Sequence, residues 1–95
     1  MRDEILNTLR ANADELRRLG IASIAVFGSA ARDEATHESD VDLLVEFSGP
    51  VGLFEFNRIR RRLEELVGHP VDLVTRDALH PALAENILRE AVNAA

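Results

Sequence analysis

Apolar residues recur along the chain with two different periods, and the switches between them outline the fold. Ile5, Leu9, Leu16 and Leu19 fall at helical spacing among Asp, Glu and Arg, which predicts one amphipathic helix over residues 3–19, stopped at Gly20. Residues 21–27, IASIAVF, are short, apolar and bounded by glycines, as a buried strand should be. A short helix from Ser29 to about Glu34 and a loop over Thr36–Ser39 lead to a second strand, VDLLVEF, at residues 41–47. Its alternation sets Asp40, Asp42 and Leu44 on one side and Val41, Leu43 and Val45 on the other.

After a Ser48-Gly49-Pro50 turn, Phe56, Ile59, Leu63 and Leu66 define a helix ending at Gly68. PVDLVT at 70–75 is a third strand. A last helix from about Leu79 to Val92 places Leu83, Ile87, Leu88 and Ala91 on one face, with Pro81 tolerated in its first turn. The order α-β-α-β-α-β-α predicts an α/β domain with a small three-stranded sheet, expected to be mixed. Strand pairing is not written in these patterns. At 95 residues, one domain spanning 1–95 is expected, with no room for a second substrate-binding domain.

The second strand carries its chemistry at one end. Asp40 and Asp42 stand at i and i+2, so in a strand they share a face roughly 7 Å apart. Aspartate beside valine and leucine is disfavoured in strands and costly to bury unpaired, so these acids sit either at a solvated strand end or on a cation. Gly28-Ser29, ten residues before Asp40, forms a turn into a helix, where unpaired backbone N–H groups and a hydroxyl can hold phosphate; the same residues also suit a plain strand-to-helix turn. Asp72 is a third acid in an apolar strand. If the second and third strands are neighbours, three carboxylates converge and call for magnesium, expected as two ions, with a triphosphate completing its coordination.

Other polar residues are less specific. Arg32, one turn into the short helix, reaches toward phosphate or stands solvated, and Arg76 after the third strand is a weaker phosphate candidate. Ser39 can orient the loop before Asp40. The Arg58–Arg62 run reads as a wet helix face, or as a surface that docks a partner or steers an anionic nucleotide. His37, His69 and His80 have no metal-like spacing.

Composition narrows the function. A formal charge of -6 disfavours direct nucleic-acid binding, and four Phe as the sole aromatics leave no stacking platform. No cysteine is present, so thiolate metal sites and disulfides are excluded, and with no spanning apolar run or signal pattern a cytoplasmic protein, away from membranes, is expected.

Gly28-Ser29, the ten-residue interval and Asp40-Val41-Asp42, with Asp72 in a later strand, resemble the signature of minimal nucleotidyltransferase (MNT) domains of the DNA polymerase β superfamily. The likeness runs through FGSAAR, SDVDLLVEF and RRRLEELVGHPVDLVT, nearly the whole chain. The resemblance implies the nucleotidyltransferase fold, with Asp40 and Asp42 binding magnesium and Asp72 completing the site and activating an acceptor. It also implies an antitoxin paired with a HEPN ribonuclease toxin in a hetero-oligomer, moving AMP from ATP to a tyrosine hydroxyl of that toxin. A non-catalytic module that neutralises the toxin by contact is the alternative; transfer to an aminoglycoside would need a further domain. One position departs from the family, which commonly has glycine where this chain has Asp33.

Overall fold

The apolar N-terminal segment folds as two helices where the periodicity predicts one. In the computed structural model, which describes residues 2–34 and 40–94, α1 covers Arg2–Ala11 and α2 covers Ala13–Arg18. The break falls at Asn12, whose side-chain amide donates to the Thr8 carbonyl at 2.8 Å. A side chain that competes for backbone partners weakens a helix at that point. Leu9 and Leu16 lie on either side of the break, and both are fully buried.

Strand β1, Ile21–Phe27, runs antiparallel to β2, Val41–Phe47, with Phe27 opposite Asp42 and Val26 opposite Leu43. Strand β3, Val71–Thr75, is parallel to β2, and Asp72 stands opposite Asp42. A parallel pair needs a long crossover. It is supplied by α4, Leu53–Val67, which ends where Gly68 takes a φ of 73°, a backbone conformation that glycine adopts without strain. The short helix α3, Gly28–Ala31, leaves the end of β1, and its Ala30 and Ala31 are small enough to be buried against the sheet. Residues predicted as the Thr36–Ser39 loop, with the orienting role of Ser39, lie outside the described residues.

The sheet is mixed, as expected, but has four strands in the order β3-β2-β1-β4. Helix α5, Pro81–Glu90, stops two residues earlier than its pattern suggests, and Val92–Asn93 form β4 antiparallel to β1. Two residues are too few to show a strand period. Pro81 occupies the first turn of α5, where its missing N–H is harmless, and His80 Nδ1 accepts from the Ala82 N–H at 3.1 Å as the cap.

One side of the sheet carries the core: Ile24, Val26, Val41, Leu43 and Val45 pack with Leu9, Leu16, Ile59 and Leu63 of α1, α2 and α4. The opposite side bears Asp42, Leu44 and Glu46. The apolar face expected of α5 does not enter the core: no residue of the helix is buried, and Leu83 and Leu88 are exposed. The arginine run on α4 is not simply wet. Arg62 grips Glu15 of α2 with two hydrogen bonds, Nη2 donating to Oε1 at 2.9 Å, and Arg60 pairs with Glu64 at 3.0 Å. Such a two-point guanidinium–carboxylate pair fixes α2 against α4.

Candidate active site

The strand pairing brings Asp42 and Asp72 face to face. They are in register on adjacent parallel strands, whose backbones lie about 4.8 Å apart, and the pleat turns both side chains to the side away from the core. Asp42 is half-buried while Asp40 and Asp72 are exposed. Burial pushes the Asp42 carboxyl above its ordinary pKa. The negative charges of Asp72 and Asp40 push it further, and so does a hydrogen bond with Asp72, while Arg32 pulls it down. Carboxylates that raise the proton affinity of Asp42 in this way form a concentration of negative charge, which a divalent cation relieves.

Gly28 makes room for this arrangement. It follows Phe27, the strand partner of Asp42, and has a φ of 68°; a Cβ built on it would lie 2.2 Å from Asp42 Oδ2 and 3.2 Å from Cγ. The missing side chain is what lets the carboxylate lie against the turn. Ser29 is half-buried in the first turn of α3, and its carbonyl accepts from the Glu34 N–H at 2.8 Å, which closes the loop around the helix end. Arg32 caps the C-terminal end of α3. Its Nε donates to Glu34 Oε2 at 3.2 Å and its Nη1 to Glu90 Oε2 at 2.9 Å.

Hard oxygen donors suit magnesium, and this acid pair is such a set. Among the described residues no group of three His, Asp or Glu side chains is placed to hold a metal ion by itself. The fit is therefore to an ion shared between the protein carboxylates and oxygens brought by a substrate, in the way magnesium keeps its other positions for water and phosphate.

Two weaker sequence candidates are resolved. Arg76 lies beyond the far end of β3, pairing with Glu46 at 2.7 Å beside a cleft of about 540 Å³ lined in part by Phe47, Val51 and Phe56. That cleft is at the opposite ends of β2 and β3 from the acids, so Arg76 is not a phosphate contact of this site. Asp33, the departure from the family pattern, has a φ of 59°, where glycine is strain-free and Asp is tolerated better than most residues. Its Oδ1 accepts the Arg2 N–H at 3.3 Å, one of the unpaired donors at the start of α1. Asp33→Gly is therefore expected to change stability by no more than about 0.5 kcal/mol, the range of a surface change, as thermal denaturation would check.

Sequence reasoning missed Glu90. It is 58 residues from its partner Arg32 and sits in a helix whose pattern gave it no distinction. Only the docking of α5 beside α3 reveals it.

Comparison with known proteins agrees with this geometry. The family model of the nucleotidyltransferase domain matches residues 8–93. The protein adenylyltransferase MntA of Thermococcus cleftensis is 44% identical over 91 residues, covering 95% of this chain and 92% of its own. A solved structure provisionally described as a minimal nucleotidyltransferase superposes with a TM-score of 0.76 at 43% identity, over 92% of this chain and 93% of that one. A chain from the Shewanella oneidensis complex of a tri-AMPylated HEPN toxin with its MNT antitoxin shares the fold, with a TM-score of 0.68 at 18% identity, over 100% of this chain and 72% of that one. The match runs almost end to end, and the chain belongs to the nucleotidyltransferase domain family, whose enzymes transfer nucleotides.

Proposed function

We propose that this protein is a magnesium-dependent adenylyltransferase and antitoxin, which moves AMP from ATP to a hydroxyl, that of a tyrosine, on a HEPN toxin partner and releases pyrophosphate. The observation that carries the proposal is the Asp42–Asp72 pair seated over the missing side chain of Gly28. The Thermococcus relative named a protein adenylyltransferase supports the nucleotide and the class of acceptor. The shared fold of the Shewanella antitoxin, solved with a HEPN toxin, supports such a partner and a hetero-oligomer with it; a cytoplasmic location belongs to the same proposal. Among the described residues no helix is long and apolar enough to cross a membrane.

The reaction forms one bond and breaks one. The acceptor oxygen attacks the α-phosphorus, the bond from that phosphorus to the pyrophosphate oxygen breaks, and the acceptor proton leaves with a base. Asp42 and Asp72, with Asp40 beside them, would hold the magnesium, expected as two ions, together with oxygens of the substrate. Bound there, the metal supplies Lewis acidity that makes the hydroxyl a stronger nucleophile and offsets charge on the leaving pyrophosphate. Asp72, exposed on the neighbouring strand, takes the proton from the approaching hydroxyl. Gly28 and Ser29 hold the phosphates on the turn, and Arg32 meets them from the end of α3. The whole catalytic set lies within a single domain.

Intact-mass measurement of the HEPN partner after incubation with Mg-ATP tests the proposal. A gain of one or more AMP units is expected, and replacing Asp40 and Asp42 together by Asn should reduce the rate by roughly 10³-fold or more, the scale of losing groups that stabilise charge in the transition state. Full inhibition of the toxin at unchanged mass, retained by the double variant, would instead establish a module that acts by contact alone.

A further inference from the structure

Among the described residues an ion pair between Arg32 and Glu90 ties the end of α3 to the C-terminal helix, and it occupies the guanidinium on which the proposed function relies. We propose that Glu90 competes with nucleotide phosphate for Arg32, so that α5 is latched to α3 in the empty protein and released at that end when ATP binds. The inference rests on the reading of Arg32 as a phosphate contact.

Three features point this way. Arg32 donates through Nε to Glu34 and through Nη1 to Glu90, so an incoming phosphate meets a guanidinium already engaged by two carboxylates. Both members of the Arg32–Glu90 pair are partly exposed, at 44% and 46% of the side chain, so the pair is solvated and readily exchanged. A triphosphate offers the same fork more charge and more acceptor oxygens than a single carboxylate does.

The second feature is the position of Glu90. It is the last residue of α5, where the helix dipole disfavours an acid, while the neighbouring Arg89 is drawn back to Glu85 at 3.0 Å. An acid placed against local preference and compensated by a residue 58 positions away is held there by tertiary structure.

The third is the loose seating of α5. None of its residues is buried, its contacts run to α3 and β1, and the chain turns extended at Ala91 before β4 pairs with β1. Glu90 therefore lies where the helix joins its anchor. Release of Arg32 frees the helix end while β4 stays paired.

The test is direct binding of Mg-ATP to the purified chain by calorimetry, together with hydrogen exchange of the α5 amides. Glu90→Gln is expected to tighten ATP binding by about two- to fivefold, the range that an exposed ion pair is worth. Glu85→Gln, which breaks only the pair within α5, should leave the affinity unchanged. In the wild type, ATP should speed exchange in residues 81–90. Arg32→Gln should weaken ATP binding, and adding Glu90→Gln to it should bring no further gain, because the two act through one interaction. Equal or weaker binding by Glu90→Gln, with Arg32→Gln still harmful, would overturn the latch while leaving Arg32 as a phosphate contact. Unchanged affinity in Arg32→Gln would remove that contact and the latch with it.

Discussion

Gly28→Ala is expected to lower the rate of nucleotide transfer by at least about 10²-fold, the scale of an ångström-sized misplacement at a reacting centre, and to lose only about 1–3 kcal/mol of stability. Two costs add at this residue. A φ of 68° disfavours any side chain, by roughly 1–2 kcal/mol. The new Cβ would also stand 2.2 Å from Asp42 Oδ2, far inside the contact distance of a non-bonded carbon and oxygen. The carboxylate must swing away, because the glycine directly follows the end of β1 and the backbone there has less freedom than a short side chain. Asp42 then leaves its place against Asp72, and the acid pair is lost even though the protein still folds.

Gly68→Ala is the matched control. Gly68 has a φ of 73°, close to that of Gly28, but nothing lies within 4 Å of the Cβ it would gain. Thermal denaturation should show comparable losses from backbone strain in the two variants, while transfer assayed well below both melting temperatures should fail in Gly28→Ala alone. A Gly28→Ala enzyme with near-normal turnover would mean that the position of Asp42 against the turn does not matter for catalysis.

The contrast explains how far this fold can be read from its sequence. Strands β1 and β2 match the predicted spans residue for residue, because a short apolar run bounded by glycines marks the first and apolar alternation marks the second. The orientation of Asp42 away from Val41 and Leu43 followed from the same alternation. That Asp72 would stand opposite Asp42 did not follow, since pairing is a long-range fact; the α4 crossover makes β2 and β3 parallel neighbours and sets the register. Local chemistry overrode periodicity at Asn12, which splits the first helix through its bond to Thr8. At the other end, Val92–Asn93 became a strand only because β1 offered an open edge. The acids were visible as residues with no good reason to be in strands. Glu90 was invisible, since its partner comes from a different element altogether.

Asp42→Asn should separate stability from activity in the opposite sense to Gly28→Ala. Transfer is expected to fall by roughly 10³-fold, as for the loss of one charge that stabilises the transition state. In metal-free buffer at neutral pH the variant should nevertheless melt above the wild type. Burial, then the charges of Asp72 and Asp40, hold the Asp42 pKa above its unfolded value, so the fold favours the protonated acid. The stabilisation of that protonated form is fully present below the unfolded pKa of about 4 and is lost as pH rises through the folded value. Asparagine keeps the shape and never ionises. The difference between variant and wild type should therefore be small at pH 3.5 and open as pH rises, to about 0.5–1 kcal/mol given that Asp42 is partly screened by solvent, or a few degrees for a domain of this size. On the proposed function magnesium binds the folded wild type and not its unfolded chain, so adding it should narrow the gap from the wild-type side. Melting curves over this pH range, with and without magnesium, check each step. A variant less stable than the wild type at pH 7, or a gap that ignores pH, would show that Asp42 is stabilised where it stands and that the acid pair stores no repulsion for a cation to relieve.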